Sequence, residues 1–224
     1  MTSNGLKRPS ALAWRQVVGA VLVLGTLVGC APLVVGGAVG TALVLTDRRT
    51  SGTQLEDQNI ELRANNVLSA QFGDRARLVV TSFNRRVLLT GDVPTAQDKA
   101  TAARLLSQVE NVQQIVDELA VQAPASLSQR SSDTLVTAKV KASFVDARDL
   151  VSSAYKVVTE RGTVYLMGRV TQREADRATE VTRGVSGVQR VVRVFEVISE
   201  DDLKRMQPAP AAAPASDAKA QPAR

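Results

Sequence analysis

The sequence predicts an α+β fold made of two tandem copies of one α-β-β-α-β unit, each with two helices and a three-stranded mixed sheet. Three observations carry that expectation. First, the chain repeats itself at an offset of 76 to 77 residues: Arg86-Val87-Leu88-Leu89-Thr90-Gly91-Asp92-Val93 aligns with Thr163-Val164-Tyr165-Leu166-Met167-Gly168-Arg169-Val170, and Val109-Glu110-Asn111-Val112-Gln113 with Val185-Ser186-Gly187-Val188-Gln189. Second, within each copy the apolar period switches between the three-and-four spacing of a helix and the alternation of a strand. Third, 44% of the 224 residues are apolar but only 3% are aromatic, so both cores must be aliphatic.

The chain opens with Lys7, Arg8 and Arg15 ahead of an uncharged stretch, the charged and apolar regions of a secretory signal. That stretch reaches Leu27-Val28-Gly29-Cys30, which resembles the bacterial lipobox. The resemblance implies that residues 1–29 are removed and that the Cys30 thiol carries a diacylglycerol thioether. It also implies that the new amino group is acylated and, with Ala31 rather than Asp after the cysteine, that sorting is to the outer membrane. A lone buried cysteine and a transmembrane helix are the other readings of these residues. A span needs about 20 residues, whereas the uncharged run from Gln16 to Thr46 has 31 and is interrupted by Pro32 and several glycines. Residues 30–54 form a tether, ending near Asp47-Arg48-Arg49-Thr50; it either lies in the membrane interface with Arg48 and Arg49 beside phosphates, or is a flexible leader.

The first unit is expected over residues 55–122. Ile60, Ala64, Val67 and Leu68 mark a helix over Glu56 to Gln71, with Asp57 placed to cap its first amides. Strands follow over Arg77 to Phe83 and Val87 to Val93 around an Asn84-Arg85 turn, then a helix from Pro94 to Val109 and a strand from Val112 to Gln122. After a linker over residues 123–130, the second unit spans residues 131–199. It holds a helix from Ser132 to Ala147 with Asp133 as cap, strands Lys156 to Glu160 and Val164 to Val170 around Arg161-Gly162, a helix from Thr171 to Gly184 and a strand from Val188 to Ile198. Asn111 and Gly187 supply the left-handed turn before each last strand. Residues 200–224 are read as a disordered tail, rich in Pro and Ala from Gln207 onward.

The repeated signatures resemble the BON domain family, whose hallmarks are a Val-x-Leu-x-Gly strand end and a Val-x-Gly-Val entry to the last strand. The second unit carries both, at Val164, Leu166, Gly168 and at Val185, Gly187, Val188; the first has Asn111 in place of a glycine and Arg85 at the hairpin. With the lipobox and the Asp47-Arg48-Arg49-Thr50 segment, the whole chain is similar to dual-BON outer-membrane lipoproteins. That resemblance implies an outer-membrane, periplasm-facing, lipid-anchored protein that binds anionic phospholipid through its second domain. Support of outer-membrane integrity at division sites, with envelope or division proteins as further partners, is implied by the same resemblance. A chaperone-like protein-interaction role, using hairpins or an edge strand, is the alternative.

Charge bears on that choice. The 28 Lys and Arg against 22 Asp and Glu give +6, but residues 1–29 hold three basic and no acidic residues, which leaves +3. Residues 55–122 carry −2 and residues 131–199 carry +3, so the second unit is the better partner for an anionic surface. On its first helix, Leu135, Ala138, Ala142 and Val145 turn away from the core face, flanked by Lys139 and Lys141. Apolar tips between lysines suit an interface of lipid and water; packing against the first unit is the other reading. The sequence has no His, and its one Cys is the proposed lipidation site, so triads and thiolate or imidazole metal sites are excluded. No catalytic constellation, no cofactor beyond the covalent lipid on Cys30, and no nucleic-acid partner are expected.

Overall fold

A computed structural model describes residues 47–206. The signal, Cys30, the tether as far as Thr46 and the tail from Gln207 lie outside the described residues. The elements run α1 Ser51–Phe72, β1 Arg77–Phe83, β2 Arg86–Val93, α2 Ala96–Ser107, β3 Gln114–Val121, then α3 Leu127–Asp146, β4 Tyr155–Glu160, β5 Thr163–Val170, α4 Gln172–Arg183, β6 Arg190–Val197 and α5 Glu200–Met206. Each unit has a three-stranded sheet in the order β1-β2-β3 or β4-β5-β6. The hairpin pair is antiparallel and the pair reached through a helix is parallel, because only the helix gives the crossover room.

Alternation along the strands decides what each sheet face meets. On β2, Val87, Leu89 and Val93 pack with Ile60, Ala64 and Leu68 of α1 and with Ala102 and Leu106 of α2. On β5, Val164, Leu166 and Val170 do the same against Val136, Val140 and Phe144 of α3 and Ala175 and Ala178 of α4. The glycine of the Val-x-Leu-x-Gly signature is set by backbone proximity: a Cβ on Gly91, at φ +122°, would stand 1.9 Å from the Arg77 carbonyl oxygen, and one on Gly168 would stand 2.5 Å from that of Ala154.

Both first helices begin five residues earlier than apolar spacing places them, at Ser51 and Leu127. Thr50 and Ser126 cap them by accepting from the amides of Thr53 and Gln129, and their first turns are too exposed to carry an apolar signal. The second half of the expected linker over 123–130, residues 127–130, is therefore helix. Asp57 and Asp133 do not cap helix amides; they sit in the second turns and reach across to the hairpins. Asp57 accepts from Ser82 Oγ at 2.6 Å and from the Asn84 and Arg85 amides at 2.7 Å each. Asp133 accepts from the Arg161 amide at 2.8 Å and that of Gly162 at 2.9 Å. Those turn residues all have positive φ, as do Asn111 and Gly187 before the last strands. The expected tail is also ordered further than residue 200: Ser199 caps α5, whose Leu203 is buried.

The other faces of the two sheets pack on each other, giving helices, sheet, sheet, helices in layers. Phe83 and Leu88 meet Tyr165, Met167 and Val194, with Val116, Val158 and Val192 around them. Polar pairs form the rim. Arg161 donates to Asp92 at 3.0 Å and to the Ala123 carbonyl at 2.7 Å, while Gln122 and the Ala125 amide also donate to Asp92, which ties the connection between the units to the second hairpin. Lys156 reaches Glu61 at 2.8 Å and Arg77 reaches Glu160 at 2.6 Å. Burial raises the Glu160 carboxyl above its ordinary range against the pull of Arg77, with Asp92 and Asp133 adding to the rise.

Asp47–Thr50 is held by the protein and does not offer Arg48 and Arg49 to phosphates as the interfacial reading expected; the rest of the tether, to Thr46, lies outside the described residues. Arg48 forms a two-pronged pair with Glu174 at 2.7 Å and donates to the Arg169 carbonyl, all in the second unit. Arg49 pairs with Asp57 at 2.7 Å and lies 4.1 Å from the centre of the Phe83 ring, in the first unit. The Arg48 side chain is only 7% exposed. This segment is a strap across both units. Among the described residues the three apolar clusters draw on residues from Ile60 to Phe195, so the body Asp47–Met206 carries both sheets with the helices that cover them.

Candidate functional site

Helix α3 has two faces with different fates. Asp133, Val136, Val140 and Phe144 point inward and are buried. At 100° per residue, Leu127, Leu135, Ala138, Ala142 and Val145 fall within one arc on the opposite side. All five are exposed, Leu127 at 72%, Leu135 at 63% and Val145 at 70%. The stripe from Leu127 to Val145 is about 27 Å long at the rise of an α-helix. Lys139 and Lys141 are exposed at its edges. Lys139 donates to Ser186 Oγ at 3.1 Å, and neither lysine has a carboxylate partner among the described residues. All six expected residues, Leu135, Ala138, Lys139, Lys141, Ala142 and Val145, are thus brought together on one open helix face.

The alternative that this face packs on the first unit is ruled out by the docking, which uses the sheets. Leu127 is the member that the sequence reading missed. Its signal was Ser126, a capping residue six positions ahead of the expected helix start.

The repeat supplies an internal comparison. On α1 the positions equivalent to Leu127, Leu135, Ala142 and Val145 are Ser51, Asn59, Asn66 and Ser69, while the exposed Leu62 and Leu55 stand at the positions of Ala138 and Ser131. Arg63, the counterpart of Lys139, lies 3.4 Å from Glu56 and 3.8 Å from Glu110. Asn65 replaces Lys141. The same fold, built twice in one chain, groups Leu135, Ala138, Ala142 and Val145 beside two lysines without a carboxylate partner among the described residues only on its second copy, with Leu127 one turn beyond the intervening Ser131.

In the second unit, Tyr155 packs between Phe144, tilted against it, and Phe195, edge-on, and donates from its hydroxyl to the Glu174 carbonyl, and burial raises its pKa. Burial raises Tyr165 as well, to about 12, with the Glu118 carboxylate beside it. Both phenols are therefore neutral at ordinary pH and pack within the core. Among the described residues no group of three or more His, Cys, Asp and Glu side chains is placed to hold a metal ion, and no helix is long and apolar enough to cross a membrane.

Residues 56–123 and 132–199 each match the BON domain family. The chain is 38% identical over 201 residues to Outer membrane lipoprotein DolP of Haemophilus influenzae, covering 88% of this chain and 100% of that protein. It is 34% identical over 154 residues to the 21 kDa hemolysin of Actinobacillus pleuropneumoniae, covering 68% and 79%. With Osmotically-inducible protein Y of Escherichia coli it shares 33% identity over 120 residues, 51% of this chain and 55% of that one. The repeat, the two α-β-β-α-β units and these matches agree: the chain belongs to the BON domain family and carries two of its domains in tandem.

Proposed function

We propose that this protein is an outer-membrane lipoprotein, anchored through lipid on Cys30 and facing the periplasm, whose second BON domain lays α3 on anionic phospholipid. It binds rather than catalyses, and it supports outer-membrane integrity at division sites. The observation that carries the lipid reading is the exposed face of Leu127, Leu135, Ala138, Ala142 and Val145 between Lys139 and Lys141, whose equivalents in the first domain are polar at four of the five apolar positions. The 38% identity along the full length of a named outer-membrane lipoprotein supports the anchoring and the location.

The physics suits such a contact. Apolar tips enter the boundary between head groups and acyl chains while lysines meet phosphates, each well-placed cation contributing about 1 kcal/mol. An anchor in the same membrane raises the effective concentration of the helix at the surface, so a modest intrinsic affinity suffices.

The test uses the body Asp47–Met206 and vesicles of phosphatidylglycerol. Replacing Leu135→Glu together with Lys139→Glu is expected to lower the pelleted fraction by at least about tenfold in apparent affinity, since an apolar contact and a cation are both reversed. Undiminished pelleting of the double variant would remove α3 as the contact.

A further inference from the structure

The second domain holds a crevice that its repeat partner has filled. It has a volume of about 310 Å³, a floor of Phe144, Tyr155 and Val157, walls including Val145 and Ser153, and Lys141 as its one charged lining residue. In the first domain the equivalent space, between Asn65, Leu68, Ser69 and Leu78, is about 60 Å³. Phe72, which lines that space and is 3% exposed, closes it. The residue at the equivalent position in the second domain is Arg148, which is exposed and leaves the space open. The smaller space has room for about two waters, whereas the larger reaches the lower end of the range for small-ligand sites, about 300–1,000 Å³.

We propose that this crevice receives one acyl chain of an anionic phospholipid, whose phosphate Lys141 meets at the rim. The proposal rests on the reading of α3 as a lipid-facing surface and adds a subsite to it. Three features select the occupant. The floor is apolar and aromatic, so a hydrocarbon chain can exchange water for ring and methyl contacts there. Val145 belongs both to the wall and to the exposed stripe, which makes the crevice continuous with the surface that would enter the membrane. Lys141 has no carboxylate partner among the described residues, and its counterpart Asn65 is uncharged, so at this position cation and open space occur together in the second domain and not in the first.

Titrating the body Asp47–Met206 with monomeric dihexanoyl phosphatidylglycerol, followed by amide shifts, tests this. Saturable shifts are expected at Ser152, Ser153, Tyr155 and Val157, and glycerophosphoglycerol, the same head group without chains, should leave them unmoved. Ser153→Leu, or Ser152→Leu should the first variant not fold, fills the space and is expected to weaken the monomeric lipid by about tenfold. Lys141→Gln leaves the space open and should weaken it by a smaller factor. If the shifts stay on the outer face of α3, or if neither leucine variant alters them, the crevice assignment falls while the surface reading stands. If vesicles fail to pellet the body and yet the crevice amides saturate, the surface reading falls and the subsite stands. Equal shifts from hexanoate alone would give the crevice to a free fatty acid and overturn the phospholipid assignment.

Discussion

Replacing Asp57→Ala is expected to destabilise the body by about 3–5 kcal/mol, the range for removing one partner of a buried ion pair. Its carboxylate is 3% exposed and serves four donors: Ser82 Oγ, the Asn84 and Arg85 amides, and Arg49. Alanine would take away one of the two carboxylates that Arg49 meets, leaving it Asp47 alone, and leave two amides of a left-handed turn and the Ser82 hydroxyl without their acceptor. Asp133→Ala should cost less, about 1–3 kcal/mol, because Asp133 holds the second turn through two amides and Gln129 but meets no guanidinium. Urea unfolding of both variants measures the difference. A loss below about 1 kcal/mol for Asp57→Ala would contradict the role given to it.

The same carboxylate sets an acid limit. Burial pushes the Asp57 pKa up, but hydrogen bonds from Ser82, Arg85, Arg49 and Asn84 outweigh it, and the net shift is downward. Glu174 and Asp92 follow the same pattern, burial being overcome by Arg48 in one and by Arg161 and Gln122 in the other. A carboxyl that titrates lower when folded contributes in full above its unfolded value near pH 4, and its contribution disappears as the pH falls through the folded value. Stability should therefore decline steeply below about pH 4, and Asp57→Asn should flatten that decline. Glu160, raised by burial, works in the opposite direction and offsets part of the loss.

Arg48→Ala is the second large effect, expected at about 3 kcal/mol. Its partner Glu174 is 5% exposed and already caps α4 by accepting from the Thr171 amide, so removing the guanidinium leaves a buried carboxylate half-paired. Arg48→Lys should recover only part of the loss, because an ammonium cannot match the two-pronged geometry. Since Arg48 grips the second domain and Arg49 the first, cutting the strap should also loosen the docking of the sheets. A fragment of residues 55–199, lacking both arginines and the first turn of α1, is expected to unfold at lower urea than Asp47–Met206 and to be cleaved faster by protease within 122–126. Equal stability of the two fragments would show that the strap is decorative.

How legible this was varied with the sequence distance over which each feature acts. The strands were readable almost to the residue, Arg77–Phe83 among them, because alternation is local and the repeat doubled the signal. The left-handed positions Asn111 and Gly187 were equally plain. Helix starts were missed because a first turn that buries nothing has no period, leaving only Thr50 and Ser126 as cues. Asp57 and Asp133 were misassigned since the turns they hold lie about 27 to 29 residues downstream. The strap was out of reach altogether, as Arg48 finds its partners 121 and 126 residues away. On the candidate site, helical spacing placed Leu135, Ala138, Ala142 and Val145 on an open face, but whether that face met the first domain depended on which sides of the two sheets pack. The outward residues Leu88 and Tyr165 answered that only in three dimensions.

The central claim is that the second domain itself meets anionic lipid, independent of the anchor. Co-sedimentation of the body Asp47–Met206, which lacks Cys30, with phosphatidylglycerol and with phosphatidylcholine vesicles tests it most directly. Binding to the anionic vesicles alone, weakening as salt rises to about 1 M where the screening length falls to about 3 Å, is the predicted result. Equal recovery in the supernatant with both lipids at low salt would contradict the account.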